Sequence, residues 1–271
     1  MKISDFDALT FDCYGTLIDW DSGIFAALAP LLSRAGIGAA GNGSALSRAG
    51  MGLSRSGMEL SRDAVLEAFG RLEARQQEKT PDMIYSDLLA EVHGQLAIEW
   101  DVARNPAEDA DFGRSIGAWP AFPDTVEALR YLRQHFRLVI LSNVDRDSFR
   151  VTNQRLGVAF DAVCTAQDIG SYKPDPRNFS YLVDRLSERG VPKEKILHVA
   201  QSLFHDHGPA KAMGLSSAWI DRRGDADRGA MPEVRYDVRF TSLEALAEAH
   251  RAESAVALAS APPDHSSRGA A

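Results

Sequence analysis

The sequence predicts an α/β fold, a doubly wound parallel sheet of Rossmann-like type with an inserted helical cap. Three observations predict it. Four short apolar runs bounded by turn or polar residues have the pattern of buried parallel strands: Ala8 to Phe11, Leu138 to Leu141, Ile196 to Ala200 and Ala218 to Ile220. Helical patterns separate the last three of them. Between the first and second runs, by contrast, lies a long stretch rich in Ala, Leu, Glu and Arg with no strand candidate of similar quality.

That stretch, residues 21–118, predicts a helical cap inserted after the first strand, with residues 1–20 and 119–248 forming the core. Val65, Leu66, Phe69 and Leu72 make one apolar stripe, and Ile84, Leu88, Leu89 and Val92 another. The chain returns to the core near Trp119 to Pro123. There a helix is expected from Asp124, with Glu127 three residues on as a capping-box partner and Val126, Leu129, Tyr131 and Leu132 as its apolar positions. Another follows Pro176, with Phe179, Leu182, Val183 and Leu186 at helical spacing. Within the cap, Leu46-Ser47-Arg48 recurs at Leu53-Ser54-Arg55 and Leu60-Ser61-Arg62, a period of seven. Glycines in the copies and from Gly36 to Gly43 weaken a helix, so residues 36–62 are expected to form a surface loop. Residues 249–271, mostly Ala, Ser, Pro and Gly, are expected to be a disordered tail.

Composition narrows the function. A chain of 271 residues, 45% hydrophobic and 25% charged, can bury a substantial core and is not mostly disordered. Thirty basic against thirty-eight acidic residues give a net charge of −8, which argues against nucleic-acid or anionic-membrane partners. No run approaches the ~20 apolar residues of a membrane span. Two distant cysteines, Cys13 and Cys164, suit a reducing cytoplasm better than a disulfide framework. A cytoplasmic enzyme acting on a small molecule is the expectation.

The candidate chemistry collects at strand ends, where open α/β sheets place their reactive groups. Past the first strand stand Asp12, then Cys13, Tyr14, Gly15 and Thr16: a carboxylate followed by a glycine that permits a tight turn. The second ends in Ser142-Asn143, offering a hydroxyl and an amide. Lys173 follows in a proline-flanked turn, and the next strand ends in Gln201, Ser202 and, four residues on, Asp206. His198, His205 and His207 lack the spacing of a known zinc site, so no metal cluster is expected; His205 is better placed as a partner of Asp206 or at the pocket edge.

Asp12 with Thr16, then Ser142, Lys173 and Asp206, in that order and with a cap in the first interval, resemble the four motifs of the haloacid dehalogenase superfamily. The resemblance covers about residues 5–248 and implies the same core and cap. Asp12-x-Tyr14-Gly15-Thr16 is similar to the type II, L-2-haloacid dehalogenase branch. Two departures from the superfamily's phosphatases point the same way. Tyr14 stands where they carry a second Asp that protonates the leaving alcohol, and Gln201 where they carry a Mg²⁺ ligand. A monoanionic haloacid needs neither, since halide leaves without a proton.

By resemblance, Asp12 attacks the halogen-bearing carbon, and Asp206 helps water hydrolyse the resulting ester. Lys173 holds Asp12 ionised, Thr16 supports it, and Ser142 and Asn143 bind the substrate carboxylate or line the halide site. Tyr14, Gln201 and Ser202 complete the substrate pocket. The branch has a cap arginine for halide, for which this cap offers Arg71 and Arg75. The family's tyrosine six residues after the lysine is Phe179 here, and its Ser-x-Asn before the final Asp is missing; Gln201, Ser202 and His205 are the candidates to replace it. The implied substrate is a small carboxylate, with no cofactor, and a homodimer is common in the family. A Mg²⁺-dependent phosphatase and a catalytically silent binding protein are the alternatives.

Overall fold

The structure is a computed structural model that describes residues 1–39, 59–224, 231 and 233–260. Its centre is a six-stranded sheet, every neighbouring pair parallel. The strands are β1 (Ala8–Phe11), β4 (Arg137–Ser142), β5 (Ala162–Thr165), β6 (Ile196–Ala200), β7 (Ser216–Ile220) and β8 (Val238–Phe240), in the order β5-β4-β1-β6-β7-β8. A two-stranded parallel pair, β2 (Gly38–Ala39) and β3 (Glu59–Leu60), lies apart from it.

β1 sits between β4 and β6, with Phe11 level with Ile140 on one side and Val199 on the other. Every residue of β1 and β6 is buried, as expected for central strands covered on both faces by helices. This register brings Asp12, Ser142 and the residues after Ala200 to one edge. β5 and β8 were not expected. Both are short edge strands, β5 with Val163 exposed and β8 with Arg239 exposed at its centre, so neither has the fully buried pattern of the central strands.

Helices α1 (Trp20–Ala27), α2 (Ala29–Arg34), α3 (Arg62–Lys79), α4 (Tyr85–Glu99) and α5 (Pro106–Arg114) follow β1 and form the cap. On α3 the buried stripe is Val65, Leu66, Phe69, Leu72 and Gln76; on α4 it includes Leu88, Leu89 and Val92. The outgoing and returning chain segments run side by side: Asp19 N donates to Pro120 O at 2.8 Å and Phe122 N to Leu17 O at 3.0 Å. Tyr172 Oη donates to Met83 O (2.5 Å) and Ser86 N to Asp145 Oδ2 (3.3 Å), tying α4 to the core. Most of the period-seven repeat, residues 40–58, lies outside the described residues. Its last copy is not loop: Leu60 ends β3, and Ser61 caps α3 by accepting from Ala64 N at 3.1 Å.

The remaining helices are α6 (Thr125–Leu132), α7 (Arg146–Leu156), α8 (Ala166–Ile169), α9 (Pro176–Ser187), α10 (Gly208–Ala212) and α11 (Leu243–Ser260). Two expectations fail here. The capping box at Asp124 does not form, because tertiary partners claim its carboxylate: two bonds from Arg222 Nη1 at 2.8 and 2.9 Å, and Leu243 N at 2.7 Å. Glu127 instead pairs with Arg130. The expected tail from residue 249 is helical as far as Ser260. Its alanines favour helix, and Glu253 anchors it by accepting from Ile3 N (2.9 Å) and Ser4 N (2.8 Å). Residues 261–271 lie outside the described residues. Among the described residues no helix is long and apolar enough to cross a membrane.

Candidate active site

Just past β1 the chain turns sharply. Gly15 has φ +95°, a conformation glycine adopts freely, and its N–H donates to Ile18 O at 2.8 Å. The turn leaves Asp12 7% exposed at the base of a cavity of about 300 Å³ between core and cap. Lys173 Nζ reaches Asp12 Oδ1 at 2.9 Å, Asp206 Oδ1 at 2.7 Å and Leu141 O at 3.0 Å. Thr16 Oγ1 donates to Asp12 Oδ2 at 2.6 Å and accepts from Gln201 N at 2.9 Å. Lys173 is itself held by its backbone. Its N–H donates to Asn143 Oδ1 (2.6 Å), and Asn143 Nδ2 donates back to Lys173 O (3.0 Å).

Asp206 lies in a single π-helical turn, Leu203–His207, a distortion often found at functional sites. His198 reaches it from β6, with Nε2 at 2.9 Å from Asp206 Oδ1 and Nδ1 at 2.9 Å from Thr10 Oγ1. Asp206 Oδ1 is thus doubly engaged, while Asp206 Oδ2 and Ser142 Oγ are buried without a hydrogen-bond partner among the described residues. Orphaned polar atoms are costly in a protein interior and mark places where a ligand or water is expected to bind.

Electrostatics divides the two carboxylates. Burial pushes the Asp12 carboxyl above its usual range; Lys173 opposes this and Asp206 adds to it. Burial acts on Asp206 in the same sense, but the Lys173 ammonium and the His198 hydrogen bond outweigh it and hold Asp206 well below the usual carboxylate range. Burial disfavours the Lys173 ammonium, yet the two carboxylates raise its pKa. Burial also lowers His205 and His207 to about 4, so both are neutral at neutral pH.

The other expected residues are dispersed differently. Tyr14 and Gln201 line the cavity, but the Tyr14 hydroxyl is engaged with Thr152 Oγ1 at 2.7 Å. Ser202 also lines it and accepts from His205 N at 3.0 Å. Phe179 is fully buried behind the site, its ring edge-on to His198 at 5.2 Å.

Arg71 and Arg75 do not reach the cavity, which corrects the expectation of a cap arginine there. Gly70, Glu73, Ala74 and Gln77 are the α3 residues that line it, at spacings of three, four and seven. Positions 71 and 75 therefore fall on another face: both are exposed, and Arg71 pairs with Glu99 of α4 at 2.6 Å. The cations found at the cavity besides Lys173 are Arg222 and Arg223, just past β7. Arg222 donates to Thr16 O (2.9 Å), pairs with Asp124 and stacks on Phe122 at 4.1 Å. Arg223 pairs with Asp21. Sequence reasoning missed both, as it missed Glu73, Gln77, Tyr85 and Trp20; for the α3 residues the helical phase set by the buried stripe was the available signal.

Among the described residues no group of three or more His, Cys, Asp or Glu is arranged to hold a metal ion. The donors nearest Asp12 do not suit Mg²⁺ either: Asp12 and Asp206 are both tied to Lys173, Tyr14 points its hydroxyl at Thr152, and Gln201 is uncharged.

Comparison with known proteins agrees with the fold. The chain is 34% identical to the (S)-2-haloacid dehalogenase of Pseudomonas putida over 108 residues, 39% of this chain and 46% of that enzyme. It thus spans about half the length of the relatives it matches. The solved L-2-haloacid dehalogenase of Xanthobacter autotrophicus superposes with a TM-score of 0.68 at 18% identity, covering 91% of this chain and 98% of the other. That enzyme has also been solved with chloropropionic acid covalently bound. A HAD-hydrolase of Bacillus subtilis solved with magnesium superposes equally well, with a TM-score of 0.68 at 17% identity over 91% of this chain and 99% of the other, so shape alone does not choose a reaction. The family profile for haloacid dehalogenase-like hydrolases matches residues 6–214, most of the chain, and the protein belongs to that family.

Proposed function

We propose that the protein is a hydrolytic 2-haloacid dehalogenase that works through an ester on Asp12 and needs no metal. The observation that carries this reading is the buried Asp12–Lys173–Asp206 array, in which one cation serves two carboxylates of different character. Asp12, buried and poorly solvated, attacks C2 of the substrate; the C–O bond forms as the carbon–halogen bond breaks, and halide departs with the electron pair. Asp206 Oδ2 then takes a proton from water as the water oxygen adds to the ester carbonyl of Asp12. Collapse expels the C2 oxygen, which takes that proton back from Asp206 to give the 2-hydroxy acid; loss of the remaining proton from Asp12 to solvent restores both carboxylates. Lys173 supplies the positive charge beside both steps, and the raised pKa keeps it protonated.

Ser142 Oγ, buried and lacking a partner among the described residues, is a donor available to the substrate carboxylate. Tyr14 in place of a second acid suits a leaving group that requires no proton. The P. putida and X. autotrophicus proteins carry the same named activity, which supports this choice over phosphate transfer.

The test is halide release from 2-chloropropionate and chloroacetate in metal-free buffer with chelator, against Asp12→Asn. Release by wild type alone is expected. Mg²⁺-dependent release of phosphate from small esters, with no halide, would replace this reading with the phosphatase.

A further inference from the structure

The cap wall of the cavity carries no arginine among the described residues; its polar groups are Trp20, Asp21, Glu73, Gln77 and Tyr85. Two of these are joined: the Tyr85 hydroxyl donates to Glu73 Oε1 at 2.5 Å. With that oxygen an acceptor, a proton on Glu73 belongs on Oε2, the oxygen left for whatever fills the cavity.

An anionic substrate entering this cavity already faces Asp12 and Asp206 across from the cap. Asp19 and Asp21 lie at the start of α1, the latter paired with Arg223. A further ionised carboxylate at the cap end, in a poorly solvated space, would repel the substrate strongly. A protonated one would instead donate a hydrogen bond to it.

We infer that Glu73, held by Tyr85, binds the substrate anion as a neutral acid at the cap end of the cavity. This inference rests on the anionic-substrate reading of the site but not on the fate of the halogen. Burial fits the role, since it raises the Glu73 carboxyl to about 7, with the Tyr85 hydrogen bond opposing. The acid form thus exists at neutral pH and gives way to the carboxylate above it. Asp12, in the same cavity, is also raised by burial, and the Glu73→Gln variant separates its titration from that of Glu73. Burial puts the Tyr85 and Tyr172 hydroxyls far above neutrality and His205 well below. Lys173 stays charged, and Arg222 is paired with Asp124.

The test is calorimetric binding of the non-halogenated 2-hydroxypropionate and propionate to the whole protein at pH 6, 7 and 8, with halide release from 2-chloropropionate followed in parallel. Wild-type affinity should fall about fivefold between pH 7 and 8 and about twofold between pH 6 and 7. Glu73→Gln, which keeps the donor and cannot ionise, should hold the pH 6 affinity throughout. Glu73→Leu should bind weakly at every pH. In turnover the same pattern should appear in KM rather than kcat. A flat wild-type profile, or the same fall in Glu73→Gln, would overturn the inference while leaving the dehalogenase intact. Acid binding with the expected profile but no halide release would sustain the inference and sink the proposed reaction. No binding of either acid would overturn the inference along with the anionic-substrate reading.

Discussion

The two walls of the cavity are built on opposite principles. The core wall is ionic: Asp12, Lys173 and Asp206 are joined at 2.7 to 2.9 Å and almost fully buried. The cap wall turns on one hydrogen bond, Tyr85 to Glu73, with the Glu73 carboxyl raised toward neutrality by burial. The core wall gathers charges that compensate one another, so each residue is indispensable to the rest. Among the described residues no cation pairs with Glu73, so the character of its end of the cavity depends on one proton. The difference assigns chemistry to the core and selection to the cap.

The largest effect that could break this division is expected at Asp206. Asp206→Asn should release about one equivalent of halide per enzyme and then stall, with steady turnover lower by roughly 10³-fold, within the usual range for a lost general base. Rapid-quench halide assays with mass spectrometry of the Asp12 peptide would follow it. Unimpaired multiple turnover would remove Asp206 from the chemistry. Next comes Lys173→Met, which leaves two buried carboxylates without their cation. A loss of about 3–5 kcal/mol in stability is expected by urea denaturation, and a loss below about 1 kcal/mol would show that the array is solvated rather than buried.

A smaller effect sharpens the cap side. An acid whose pKa is raised on folding stabilises the fold fully below its unfolded value, and that stability is lost as pH rises toward the folded value. From about pH 4.5 to 7, therefore, wild type should lose stability relative to Glu73→Gln by up to about 1.4 kcal/mol per unit, and no more beyond. Parallel unfolding curves that do not diverge would mean the carboxyl is not buried as described. The smallest effect belongs to the arginines expected from sequence. Arg71→Ala and Arg75→Ala should change kcat/KM by less than about twofold and stability by less than about 1 kcal/mol, as for exposed ion pairs. A tenfold rise in KM in either would return the halide site to a cap arginine.

The same contrast explains what could be read in advance. Strand ends are ordered by the sheet, so Asp12, Ser142, Lys173 and Asp206 were legible as neighbours once β1, β4 and β6 were recognised as buried runs. Helix positions are placed by phase, and choosing Arg71 or Arg75 by charge alone ignored the stripe of Val65, Phe69, Leu72 and Gln76 that fixes which face of α3 points where. Arg222 and Arg223 escaped notice because no pattern ties a residue past β7 to one past β1. His198 was weighed as a metal ligand, whereas its place on β6 makes it a partner of Asp206. Asp124 satisfied a local capping rule and was recruited by Arg222 and α11 instead.

The central claim, that Asp12 carries the oxygen delivered to the substrate, is tested most directly by a single turnover in ¹⁸O-water with enzyme in excess over 2-chloropropionate. The account predicts unlabelled 2-hydroxypropionate and a gain of one ¹⁸O in the peptide containing Asp12. Labelled product in that first turnover, with an unlabelled Asp12 peptide, would mean that water attacks the substrate directly, and the covalent account would be wrong.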